Sequence, residues 1–456
     1  MNRGLSPLLS PVSIGPLITL RIITGILMTF STLRFMALGW IEDHYILPVF
    51  HFRYPGWEWV PLLSSSGIYL LHFLMLIAGI MVILGWYYKV AIWSLLISFT
   101  WLELIDVTYY LNHYYFVSLL LLAMTLVPAA GRLSMDSFRN SKLGLAFVPA
   151  WQVGMFRIFL GVVYLYAGIA KINYDWLFEG LPLRIWLPAN EHWPLVGPYL
   201  KSPWVAIAFS WSGMFYDLSI PFLLAWRKTR RYAWIGVIVF HLLTALMFQI
   251  GVFPWVMIGA SLIFFSDPWH ERLHEKISNW LSIPFQEKPI LLPSFQVRYG
   301  LILAMIGLLF HLIFPFRYMA YPGSLYWTEE GYRFGWRVMV MEKAGTATFY
   351  VLDRKTGREG VVDNREFLND HQEKQMAMQP DMILQYAHFL GDTYKALGMK
   401  PPQVRAEVYV TLNGRPSALF VNPKVDLMQV KSSDPLSDWI LPSPDTSSKN
   451  IFKYNI

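Results

Sequence analysis

Long apolar runs separated by short polar connections fill the first two thirds of the chain, and alternation at a period of two takes over near its end. Nine runs are long enough, or nearly so, to cross a bilayer, whose hydrocarbon core needs about 20 helical residues. They lie near 15–36, 67–88, 89–106, 113–130, 150–171, 203–226, 232–250, 252–266 and 297–316. The eighth is the shortest and begins at Gly251-Val252-Phe253-Pro254, so the seventh and eighth can form a tight pair. Beyond about residue 317 the pattern becomes strand-like. Residues 347–362 read as a hairpin turning at Gly357, and residues 407–420 as another turning at Asn413-Gly414, a strong type I′ signal. Between them 381–397 reads as a helix stopped by Gly398 and Pro401-Pro402. The predicted fold is a polytopic α-helical membrane bundle of about nine spans followed by a small α+β extracytoplasmic domain. The predicted divisions are 1–316 for the bundle, 317–430 for the domain and 431–456 for an extended, partly mobile tail rich in Ser, Asp and Pro.

Composition strengthens that reading. Of 456 residues 55% are hydrophobic and only 15% charged, far from the balance of a soluble enzyme. The absence of cysteine excludes disulfides, thiolate nucleophiles, iron–sulfur clusters and cysteine zinc sites. A net charge of +7 calls for no nucleic acid, because the basic residues fall largely in short loops. No cleavable signal peptide is expected, since the first apolar run is long and holds Arg21 and Arg34. Lys89, then Arg132, Arg139 and Lys142, then Arg227 to Arg231, then Arg272, Lys276 and Lys288 occupy alternate loops. The positive-inside rule makes those loops cytoplasmic. Lys171 and Asn112-His113 then share the outer face with the C-terminal domain. The side of the N-terminus stays open, because a re-entrant stretch near 37–66 would reverse it.

The candidate chemistry starts from Lys171 at the end of the fifth run. A lysine at such a depth snorkels, pairs or works. In apolar surroundings it can lose its proton near neutral pH and act as a base. Arg157, Tyr164, Gly168 and Lys171 fall on one helical stripe. Asn112-His113 reads either as a helix cap beside an interfacial histidine or as part of the same site. Asp217, Glu103 and Asp106 are expected in structural ion pairs with Arg21 and Arg157. His241 alone reads as a core histidine, and His311 as structural. His270-Glu271-Arg272-Leu273-His274 has zinc-protease spacing, but it lacks an evident third ligand and falls in a basic stretch, so a solvated loop is expected and no metal. Leu20-Arg21-Ile22-Ile23-Thr24-Gly25 and Phe156-Arg157-Ile158-Phe159-Leu160-Gly161 suggest a weak internal repeat.

Four stretches together carry a family resemblance over most of the chain. They are Tyr110-Leu111-Asn112-His113-Tyr114-Tyr115, then Ala167 to Trp176 around Lys171, then Phe240-His241 through Phe253, Met257 and Ser266-Asp267-Pro268-Trp269. The last is Trp327 to Val340 with Phe420 to Asp426. In this order they resemble the vitamin K-dependent gamma-glutamyl carboxylases, and the chain is similar to a microbial homologue. The resemblance implies oxygenation of reduced vitamin K to its epoxide, coupled to carboxylation of protein glutamate to gamma-carboxyglutamate. It implies dioxygen and carbon dioxide as co-substrates, with a glutamate-containing polypeptide outside the membrane and membrane lipid as partners.

By the same resemblance Lys171 in neutral form deprotonates the hydroquinone, and the base made from it takes the glutamate γ-proton. Asn112 and His113 polarise quinone oxygens, with Tyr164 and His241 as further quinone contacts. Trp327, Tyr332, Trp336, Lys343 and Lys424 are the implied polypeptide contacts. The chain departs from the pattern at Ala170, where the family has a first lysine. It departs again at Met341, Lys343 and Lys424, where animal enzymes have His and Arg. Lysine does not reproduce bidentate carboxylate recognition. Two alternatives therefore stay open: a quinone epoxidase with weak or different carboxylation, and a non-catalytic membrane protein that binds lipid and peptide.

Overall fold

The computed structural model describes residues 6–248, 250–280, 294–399 and 401–444. Among the described residues seven helices are long and apolar enough to cross a membrane. In the numbering used here they include α1 (Gly15–Ala37), α2 (Ser65–Leu84) and α3 (Tyr88–Ile105). After α4 (Asn112–Thr125) come α5 (Ala150–Ala170), α6 (Pro203–Ala225) and α7 (Arg230–Met247). Then follow α8 (Phe253–Ser261), the amphipathic α9 (Asp267–Trp280) and the last long helix, α10 (Ser294–Ile313). The sequence predicts about nine spans, and the difference lies in α4 and α8. At 14 and 9 residues they rise only about 21 and 14 Å, short of the roughly 30 Å hydrocarbon core. Yet α4 runs antiparallel to α3 between the same two levels. At one end Tyr88 Oη donates to Met124 O at 2.9 Å and Lys89 Nζ to Thr125 O at 2.6 Å.

Glycines set the closest helix contacts, as expected where small residues let backbones approach. A Cβ on Gly25 would lie 2.7 Å from Ile83, and one on Gly79 2.5 Å from Thr29 Oγ1, so α1 and α2 touch there. Arg21 and Arg157, the arginines of the sequence repeat, each donate to a carbonyl, of Leu133 and Ile263. Neither pairs with Asp217 or Asp106. That corrects the expected ion pairs: Asp106 instead meets His51 at 3.1 Å and accepts from Gln372 at 2.7 Å.

The His-Glu-x-x-His stretch lies on α9, and it is not a solvated loop. His270 and His274 are buried, and both rings meet Thr19 Oγ1 of α1, at 2.8 and 2.9 Å. The side chains of α9 alternate with helical period, so its apolar-plus-histidine face packs on α1 while Arg272 and Glu275 stay outside. Beside it, β1 (Pro11–Ser13) pairs antiparallel with β2 (Phe147–Pro149). This polar end of the bundle is opposite the C-terminal domain.

That domain carries a four-stranded antiparallel sheet of order β4-β3-β5-β6, formed by β3 (Lys343–Asp353), β4 (Arg358–Val361), β5 (Pro402–Leu412) and β6 (Ala418–Leu419). Both predicted hairpins are present. Gly357 has φ +70°, and Asn413 and Gly414 have φ +51° and +72°, the left-handed pair a type I′ turn requires. The predicted helix between them is α12 (Pro380–Ala396), preceded by the short α11 (Asp370–Met376). Met382, Ile383, Tyr386 and Leu390 of α12 cover Val404, Ala406, Val408 and Val410, the inward alternate positions of β5.

Residues 49–54, between α1 and α2, complete this core. Phe52 is fully buried, Val49 N donates to Phe367 O, and Arg53 N to Gln385 Oε1. The stretch near 37–66 is therefore a docked loop, and α1 starts at the end opposite the domain. Residues 431–441 belong to the domain rather than to a loose tail, because Trp439 and Ile440 are buried and Leu441 N donates to Phe420 O. Residues 445–456 of that expected tail lie outside the described residues.

Candidate active site

Helix α5 ends at Lys171, whose N–H closes the last turn on Gly168 O at 3.1 Å. Gly168 lets α6 come close: a Cβ there would lie 2.8 Å from the Leu218 side chain and 3.0 Å from its backbone nitrogen. The residue before Leu218 is Asp217, so this approach sets a carboxylate against the amine. Lys171 Nζ donates to Asp217 Oδ2 at 2.8 Å, to Ala167 O at 3.2 Å and to Val338 O at 3.5 Å. It also lies 5.2 Å from the centre of the Trp176 ring. Lys171 is 6% and Asp217 5% exposed. The pair was not foreseen as such, although both residues stand out in the sequence as ionisable groups in apolar runs.

Lys171 and Asp217 line a cavity of about 410 Å³ bordered by α5, α6, α7, α8 and residues 338–339. Its walls are largely apolar, with Phe209, Phe240, Met257 and Met339 among them. Tyr164 and His241 supply a second polar group, their Oη and Nε2 atoms 3.0 Å apart. His241 is 1% exposed, and among the described residues its Nδ1 has no hydrogen-bond partner. A buried imidazole nitrogen without a partner is an unmet hydrogen-bonding site.

A strap from Glu329 to Met339 crosses from the C-terminal domain to the bundle. Glu329, Phe334, Trp336 and Met339 have φ between +54° and +60°, and Gly331 has +76°. Left-handed backbone at four non-glycine residues is costly and clusters where function over-determines it. The strap is pinned at several points. Trp336 is wedged 5.0 Å from Tyr115 and 5.1 Å from His311, ring centre to ring centre. Arg337 O accepts from Asn112 Nδ2 at 3.3 Å and from Tyr332 Oη at 3.2 Å, and the next carbonyl is the one that Lys171 reaches. Tyr110 Oη links Asn112 Oδ1 to Phe334 N, at 2.9 and 2.7 Å. Glu329, Glu330, Gly331, Arg333 and Phe334 of the strap also line a groove of about 990 Å³ on the domain, with Arg53, Arg317, Asp381 and His388.

A clasp holds the domain to the segment after Lys171. Asp175 accepts a bidentate pair of bonds from Arg415, at 2.6 and 2.9 Å, and another from Asn413 at 2.6 Å. The type I′ turn thus places its own asparagine on the membrane domain. Trp186 Nε1 donates to Glu342 Oε2 nearby, at 2.7 Å.

Two family models match the chain: the HTTM domain over residues 9–269, and the lumenal domain of vitamin K-dependent gamma-carboxylase over residues 297–446. The chain belongs to the vitamin K-dependent gamma-carboxylase family. No solved structure matches it. It is an integral membrane protein whose C-terminal domain is lumenal, with a gamma-carboxylase-like function.

The structure gathers the sequence candidates unequally. Lys171, Tyr164 and His241 share the cavity. Asn112 and His113 do not line it: Asn112 is bonded to the strap, and His113 lies behind Phe253, 5.5 Å away, whose other side meets His241 at 5.6 Å. Tyr332 and Trp336 hold the strap. Trp327 is 3% exposed and donates to Leu441 O at 2.8 Å, inside the domain core. Lys343 is buried with its donors engaged, on Trp327 O at 2.7 Å, Glu329 Oε1 at 2.8 Å and Met378 O at 2.6 Å. Burial pushes the Lys343 ammonium below its usual range, with Glu329 pulling the other way. Lys343, expected as a polypeptide contact, thus directs its three donors to groups within the domain. Lys424 is exposed and lines neither the cavity nor the groove.

Proposed function

We propose that this protein oxygenates reduced vitamin K to its epoxide and couples that reaction to carboxylation of glutamate in a lumenal polypeptide. The observation that carries the reading is a buried amine, held at 2.8 Å by a carboxylate, on the wall of an apolar cavity that the Tyr164–His241 pair also lines. An apolar aromatic ring with oxygens on opposite edges suits such a cavity, with Lys171 serving one oxygen and the Tyr164–His241 pair the other. Reduced vitamin K with dioxygen supplies the strong base that no side chain can be, since the glutamate γ-proton is very weakly acidic. Lys171 takes the hydroxyl proton at Nζ. Phe209, Phe240 and Met257 keep water from the ring, which strengthens each polar contact inside. Asn112 and Tyr332 hold the Arg337 carbonyl, and so fix the strap whose next carbonyl touches Lys171. The groove beside the strap is the proposed polypeptide channel.

The test is a purified, detergent-solubilised protein given reduced vitamin K, dioxygen, labelled bicarbonate and a glutamate peptide. Epoxide and fixed label, both lost in Lys171→Ala, are expected. Full epoxide formation in that variant would sink the reading. A second reading, epoxide formation with poor carboxylation of glutamate, is favoured by the filled donor set of Lys343. Epoxide without label would select it.

A further inference from the structure

The apolar surroundings of Lys171 argue for a neutral amine, and its bonding argues the reverse. An ammonium has three N–H donors, and three acceptors face Nζ: Asp217 Oδ2, Ala167 O and Val338 O. A neutral amine has two donors and a lone pair, so one of those oxygens would face the lone pair. Two of the acceptors are peptide carbonyls, fixed by α5 and by the strap. The third is ionisable. The other titratable groups around the cavity are Tyr164 on α5, Tyr216 on α6 and His241 on α7. Asp175 follows Lys171 but is engaged by Arg415 and Asn413, and the strap brings only a carbonyl to the amine. Among the described residues Asp217 alone pairs its charge with Lys171.

We propose that Asp217 is the positioning residue for Lys171, holding the amine at the cavity wall as an ammonium ion. This rests on the base role of Lys171 proposed above. The resting protein then withholds the base, and the lone pair appears when the Asp217 carboxylate turns away or takes the proton. In that second route Lys171–NH3+ and Asp217–COO− become Lys171–NH2 and Asp217–COOH, with no net charge created in the cavity. Removing the carboxylate removes the hold, because an unpaired ammonium is poorly tolerated in a dry site.

The first measurement needs no quinone. The full chain in detergent is treated with trace acetic anhydride at neutral pH, and Lys171 acetylation is read by mass spectrometry against exposed Lys424. Asp217→Asn is expected to label roughly tenfold faster or more, the change that losing a charge partner brings. Asp217→Glu should label like the natural protein. In the epoxide assay the pH profile of Asp217→Asn should differ from that of the natural protein, which a merely structural role would leave unmoved. Equal or slower labelling in Asp217→Asn overturns the proposal.

Should that variant fail to fold, infrared spectra of the 13C-aspartate-labelled natural protein decide. A protonated-carboxyl band that is missing from Asp217→Glu overturns the ion pair, and its absence supports it. If the natural protein makes no epoxide, the base role fails while the labelling still decides the pair.

Discussion

The two ends of the bundle both bury ionisable and polar side chains, and they do opposite things. At the lumenal end Lys171, Asp217, Tyr164 and His241 face a cavity of about 410 Å³, beneath a strap of left-handed backbone. At the far end Arg21, Thr19, His270 and His274 are as deeply buried, but packing there is tight. Gly85 has φ +60°, and a Cβ on it would lie 1.8 Å from Arg21 Nη1. One on Gly15 would lie 2.9 Å from the His270 Cβ. Buried polar clusters thus hold the fold where they are filled with protein, and offer chemistry where a void leaves room for a ligand. Motif spacing did not separate the two cases, since the metal-like motif lies at the packed end.

Substitutions can break or sharpen this contrast. The largest expected effect is at the cavity: Lys171→Ala should lower epoxide formation about 10²–10⁴-fold, the span general-base removal gives. At the packed end the reverse should hold. Gly85→Ala meets both a left-handed backbone and the Arg21 side chain, and should destabilise by roughly 2–4 kcal/mol. A thermal melt in detergent checks it, and an unchanged melt would mean that Arg21 moves aside freely.

Acid should also act at the packed end. Burial, aided by the neighbouring His274, lowers His270 to about 3. Burial, aided by Arg132 and Arg21, lowers His274 to about 4. Between those values and the ordinary 6.5 the unfolded chain binds protons that the folded one refuses. Stability from these histidines is therefore full above about pH 6.5 and falls as pH drops toward 4, by about 1.4 kcal/mol per histidine per unit. Melts at pH 7 and pH 5 test this, and His270→Gln with His274→Gln should flatten the difference.

Thr19→Val removes the hydroxyl that both rings share and should cost about 1–3 kcal/mol, leaving the epoxide rate of the surviving folded protein unchanged. The smallest effect belongs to Lys424→Ala. That exposed side chain lines neither cavity nor groove, and both epoxide and label should match the natural protein.

The sequence by itself determined what depends on local pattern. Apolar length located the seven long helices, and Asn413-Gly414 and Gly357 located both turns, because left-handed backbone selects those residues. The stripe of Tyr164, Gly168 and Lys171 followed from helical period alone. The buried face of α9 escaped, because a polar helix face looks solvated until another helix covers it.

Only the tertiary structure decided the contacts across sequence distance. Asp217 is 46 residues from Lys171, and a glycine contact between two helices brings them together. Val338 arrives from the lumenal strap, 167 residues away. Residues 49–54 complete the core of a domain that begins far along the chain. A charge pair of this kind has no local periodicity to betray it, since its energy depends on distance and burial, which packing fixes.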